Sequence, residues 1–134
     1  MNLGFTFKSS ILFAGFYTFC SLAVAENAPA GITDLFKDWS PIEVTQNGDV
    51  LSVVLPQQRI TDVIFNSAIT TGYCLHQFDG VDVSEISEVQ ILNEFGQQGF
   101  VFESDATTCE TAFNAPMAQA KIIISGNSRV FTGN

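Results

Sequence analysis

Positive charge is scarce in this sequence: five Lys and Arg stand against 14 Asp and Glu, with one histidine, His76. Phosphate binding needs clustered Lys and Arg, so nucleic acid is not an expected partner, and anionic membrane surfaces are disfavoured for the same reason. Zinc takes three or four ligands from Cys, His and carboxylate, and one histidine with Cys74 and Cys109, expected to be oxidised to a disulfide, does not provide them. There is no G-x-S-x-G elbow, and Gly96-Gln97-Gln98-Gly99 links two predicted strands where a phosphate-binding loop leads into a helix. Neither a metal nor a cofactor is expected.

The first 25 residues have a different character. Lys8 is their only charged side chain, Ile11 to Phe19 is apolar or nearly so, and the segment closes on Ala23-Val24-Ala25, small residues that a signal peptidase pocket admits. Glu26-Asn27-Ala28-Pro29 then ends the apolar character. The run is shorter than the roughly 18–20 residues that span a bilayer, and no basic stop-transfer cluster follows it. Cys20 follows the bulky Phe19, where lipid modification needs a small residue. The expectation is a signal peptide over 1–25, cleaved after Ala25, a periplasmic or secreted protein, and no stable membrane insertion afterwards.

The remainder is enough for one domain and too little for two: a flexible leader over 26–31 and a single globular domain over 32–134. All the acidic residues lie here, spread from Glu26 to Glu110 without a run. Such acidity either keeps an exported protein soluble or steers it to a basic partner. Phe36, Phe65, Phe78, Phe95, Phe100, Phe102, Phe113 and Phe131, with Trp39, Tyr73 and many Ile and Val, make the composition globular. Cys74 and Cys109 remain once Cys20 leaves, and an even count in an oxidising compartment reads as one disulfide.

The patterning predicts α+β: two β-hairpins plus a C-terminal strand in a mostly antiparallel sheet, with two or three short helices packed on it. Positions 32, 35, 36 and 39 follow helical spacing before Pro41. Ile42–Thr45 and Val50–Leu55 flank Asn47-Gly48, the type I′ hairpin signal. Ile60, Val63, Ile64, Ser67, Ala68 and Thr71 mark an amphipathic helix closed by Gly72 as a C-terminal cap. His76–Ser87 reads as a loop, Glu88–Phe95 and Phe100–Glu103 as the second hairpin, Cys109 to Ala115 as a helix, and Ile122-Ile123-Ile124 as a buried strand. Each hairpin is followed by a helix with a cysteine beside it, a faint echo of duplication.

Candidate chemistry is thin. Cys74 and His76 suit nucleophilic catalysis only with a free thiolate, which a bridge to Cys109 removes. Asp79, Asp82 and Glu85 follow no calcium-loop spacing, and the many acids offer no way to choose a hydrolytic pair. Asn47 and Gly48, Gln97 and Gln98 at the hairpin tips, and Asp79 and Asp82 in the central loop are the candidate contact residues. Trp39, Tyr73 and Phe78 are candidates for an exposed aromatic patch. The resulting expectation is a small exported acidic binding module, inhibitor-like or accessory, acting on a basic exported protein without catalysis of its own. The alternatives are an envelope component using a sheet edge and, behind it, a small carboxylate-dependent hydrolase.

Overall fold

The computed structural model describes residues 26–105 and 107–133; the expected signal segment 1–25, with Lys8 and Cys20, lies outside the described residues. Among those described, β1 (Glu26–Asn27), β2 (Glu43–Asn47), β3 (Val50–Val54), β4 (Glu88–Leu92), β5 (Gly99–Glu103) and β6 (Ser128–Val130) form one sheet in that order. Every neighbouring pair is antiparallel except β3–β4. A parallel pair cannot be joined by a tight turn. The chain between β3 and β4 therefore crosses over through α2 (Asp62–Ser67), a π-helical turn (Ala68–Gly72), a 3-10 turn (Tyr73–Leu75) and α3 (His76–Asp79). Two further helices, α4 (Thr108–Asn114) and α5 (Met117–Gly126), lie between β5 and β6, and α1 (Ala30–Asp34) precedes β2. The α+β architecture, with its mostly antiparallel sheet and single disulfide, is the expected one.

Register decides which face is core. Val44, Val53, Ile91 and Phe100 align in one cross-strand row, and Leu51, Val89 and Phe102 in the next. These rows pack with Phe36, Ile60, Phe65, Ile69, Tyr73 and Ile124 from the helical segments into one core. Alternation sends Ser52, Gln90, Glu88, Glu103 and Arg129 to the opposite face. There Arg129 lies beside Val101, its Nη2 2.5 Å from Glu88 Oε1 and its Nε 3.7 Å from Glu103 Oε1. Val101 is fully buried between Arg129 and Gln90, although it sits on the side without helices.

Several local expectations are corrected. Residues 26–31 are no free leader: Glu26 and Asn27 pair with Gln46 and Thr45, Ala28 N–H bonds Val44 O, and α1 starts at Ala30. The predicted helix over 32–39 is α1 plus a 3-10 turn at Lys37–Trp39, stopped by Ser40 in the left-handed region. In the first hairpin Asn47 pairs with Val50, so Gly48 and Asp49 are the turn residues. Only Gly48 has positive φ, which fits type II′ and not I′. Gly72 is no helix cap, since its φ is −106° and the helical path runs on to Gly80 at φ +67°. It is glycine because a Cβ there would meet Trp39 at 3.2 Å and Phe36 at 3.4 Å. The expected loop from His76 begins as α3.

The largest correction is Ile122-Ile123-Ile124, which is helix and not strand. Pro116 caps α5 at its N-terminus, where its missing N–H costs nothing, and Met-Ala-Gln-Ala-Lys supplies strong helix formers that carry the β-branched run along. Asn127 Nδ2 donates to Ile123 O and Ser128 Oγ to Ile124 O, satisfying carbonyls the helix end leaves open. The C-terminal strand follows, as β6.

Candidate functional site

Two helical walls face each other on the covered side of the sheet. The first begins at Thr61, whose Oγ1 accepts from Ile64 N–H at 3.2 Å and caps α2. Its hydroxyl-bearing residues bond back to their own helix: Thr70 donates to Asn66 O at 2.7 Å and Thr71 to Ser67 O at 2.8 Å. Such back-bonding competes with the i−4 ladder, and this stretch is where α2 widens into the π turn. Behind this wall Tyr73 is fully buried, its hydroxyl 2.8 Å from Ser104 Oγ, and burial pushes its phenol above the ordinary value of 10.0.

The second wall is α4 and α5. α4 ends at Asn114, Ala115 is extended at ψ 156°, and Pro116 starts α5. The Cys74–Cys109 disulfide ties the walls together. Both cysteines are 3% exposed, joining the segment after one hairpin to the segment after the other.

Between the walls lies a groove of about 830 Å³ lined chiefly by Thr70, Thr71, Leu75, Ala112, Ala118 and Ala120, with the disulfide among its lining. Of the lining residues, Lys121 meets Asp62 at 3.6 Å, and Phe113 packs in a tilted arrangement on Phe78 with ring centroids 4.5 Å apart. Asn66 also lines the groove, and its Oδ1 is buried with no hydrogen-bond partner among the described residues. Apolar side chains in the lining are open to solvent, Met117 at 90% and Phe113 at 58%, and so are Ile122 of α5 at 70% and Phe78, packed on Phe113, at 58%. α5 has apolar residues on every side, a composition that normally accompanies burial. Here only Ile124 of the helix is fully buried.

No protein-family model, no curated protein and no solved structure matches this chain. The site is therefore described by its own chemistry. With Cys74 and Cys109 bridged, no cysteine among the described residues is left with a thiolate for His76 to activate. His76 is half-buried against the Tyr73 ring, centroids 5.1 Å apart, and burial lowers its pKa below the ordinary 6.5. Asp82 accepts from Ser84 N–H at 2.9 Å, and hydrogen bonding to Ser84 holds its carboxyl below the usual value, the opposite of a general acid's need. Among the described residues no group of three or more His, Cys, Asp or Glu is placed to hold a metal ion. None of the described helices is long and apolar enough to cross a membrane. The disulfide fits an extracellular or periplasmic protein.

The contact residues read from the sequence do not form one site. Asn47 and Gly48 sit where β3 and β4 begin, while Gln97 and Gln98 sit where β4 ends, at the opposite end of the sheet. Gln98 is a structural staple: its Oε1 accepts from Ile60 N–H at 2.6 Å and its Nε2 donates to Ile60 O at 2.9 Å. Asp82 lines a hollow of about 450 Å³ with Gln46, Glu85 and the apolar Ile32, Val83 and Ile86, near the first hairpin tip, and Asp79 ends α3. The expected aromatic patch is split: Tyr73 is core, Trp39 is half-buried, and Phe78 is exposed in company with Phe113. Sequence reasoning missed the groove. The available signal was Met-Ala-Gln-Ala-Lys behind Pro116, a helix start running into isoleucines with no polar face.

Proposed function

We propose that this is a small exported, acidic binding module that acts on another protein and has no catalysis of its own. The observation that supports it best is α5, apolar on every side and exposed beside an open apolar groove, on a chain with 14 acidic and five basic residues. An apolar surface of this kind calls for cover, and the charge balance favours a basic partner. The envelope-assembly alternative drew on a strand at Ile122–Ile124, which is helical. The sheet edges β1 and β6 are two and three residues long, so they offer few hydrogen bonds for strand addition. Docking through the helical layer is the stronger reading.

Two measurements test it. The intact mass of protein recovered from the periplasm or medium should correspond to a chain starting at Glu26, with thiols that alkylate only after reduction. The immobilised module should retain a basic exported protein at low ionic strength and release it as salt rises. Retention of no protein at any salt concentration refutes the reading.

A further inference from the structure

We propose that the groove between α2 and α5 seats an amphipathic helix of the partner, apolar on the side that enters and basic along the flanks. This rests on the protein-binding reading above and names its surface and the chemistry of what fills it.

The walls decide that the occupant is helical. Both are helices whose backbone groups are paired internally, and the Thr70 and Thr71 hydroxyls are already committed to Asn66 O and Ser67 O. An extended segment would find no ladder of donors and acceptors there and would bury its own backbone unpaired. A helix brings its backbone bonds with it and needs from the groove only apolar contact. Ala112, Ala118 and Ala120 leave room for a helix to approach, and the 10 residues of α5, a length of about 15 Å, match roughly three turns of an occupant.

Charge decides the flanks. None of the groove's described lining residues is a carboxylate; Glu110 borders the adjoining hollow that shares Phe113 with the groove, and the one cation in the lining, Lys121, is paired with Asp62. Lysines or arginines beside the apolar stripe would meet these bordering carboxylates, Asp62 and Glu110. A second copy of this chain would bring the same excess of negative charge, which opposes self-association. An anionic amphiphile such as a fatty acid would have to take Lys121 from Asp62.

The test uses two synthetic peptides of about 14 residues with leucines at i, i+3, i+4 and i+7, one carrying lysine at the remaining positions and one carrying glutamate. Titrated into the oxidised protein and followed by amide chemical shifts, the lysine peptide should bind with a Kd on the order of 10 μM. Shifts should centre on residues 66–75 and 112–121. Ala118→Trp fills the groove at an exposed position, so the fold should survive, and binding should weaken about tenfold or more. Glu110→Lys should weaken the lysine peptide and not the glutamate peptide. Equal binding of the two peptides, shifts centred on the hairpin tips, no binding at millimolar peptide, or indifference to A118W each overturns the proposal. A protein partner retained equally by wild type and A118W would leave the binding-module reading intact and remove only the groove. Dimerisation at micromolar concentration that A118W abolishes would assign the groove to a second copy instead.

Discussion

Removing the disulfide should cost this protein a large share of its stability, and the cost can be worked from the fold. Cys74 and Cys109 close a loop with a sequence separation of 35, which contains α3 and the whole β4–β5 hairpin. Chain entropy assigns such a cross-link about 3–4 kcal/mol. Replacing both cysteines by alanine also removes two sulfurs that are almost fully buried, at about 1 kcal/mol each. The total of about 5 kcal/mol compares with about 5–15 kcal/mol for a typical small domain. With a urea slope of about 1.5 kcal/mol/M, the unfolding midpoint of C74A/C109A should fall by about 3 M. Each single variant already loses the entire bridge, so the double variant should cost little more than either one. A midpoint shift below about 0.5 M, or two single effects that simply add, would refute the reasoning that the bridge acts by constraining the unfolded chain.

Gly99→Ala should be the most damaging single glycine replacement, because its Cβ would fall 1.9 Å from Ile91 O, backbone that cannot yield without unpairing β4 from β5. Gly48→Ala, with open space around it but φ +60°, should cost only about 1 kcal/mol in the same urea melts; equal costs would contradict the geometry. Arg129→Met keeps an aliphatic cover over Val101 while removing the pairs with Glu88 and Glu103, and should cost under about 1 kcal/mol, less in high salt; a loss above about 2 kcal/mol would show the pairs to be stronger than exposed ion pairs. Burial lowers the His76 pKa below its ordinary 6.5, so the unfolded chain binds the proton more readily. Stability should therefore decline as pH falls through 6.5 toward the folded value and level off below it, and His76→Gln should flatten that part of the profile. Tyr73, the only tyrosine beyond residue 25, should titrate above 10.0 in the folded protein by phenolate absorbance; a midpoint at or below that value would mean its ring is not desolvated.

The legibility of this chain varied with the range of the interactions involved. β3 showed in the alternation of Leu51 and Val53, and α4 in the helix signal at Cys109, because one-sided burial writes its period directly into sequence. The α2 start was visible for the same reason, but its end was not. Gly72 carries the mark of a cap, and what it accommodates is Trp39, a contact across the fold. Likewise Gln98 looked like a free turn residue, and only its bonds to Ile60, 38 residues away, show that it holds the second hairpin to the crossover. The isoleucines of α5 misled because three consecutive β-branched residues suit a strand, while the Pro116 start and the alanines before them set a helix.

By itself the sequence determined the class of the fold, the two hairpins, the pairing of Cys74 with Cys109 by elimination, and the acidity, since each follows from composition, local period or parity. Only the tertiary structure decided that β3 and β4 run parallel, that the crossover and α5 stand apart as two walls, and that an apolar groove opens between them. Those features depend on which segments meet across long stretches of chain, and a meeting of that kind leaves no local trace in either partner.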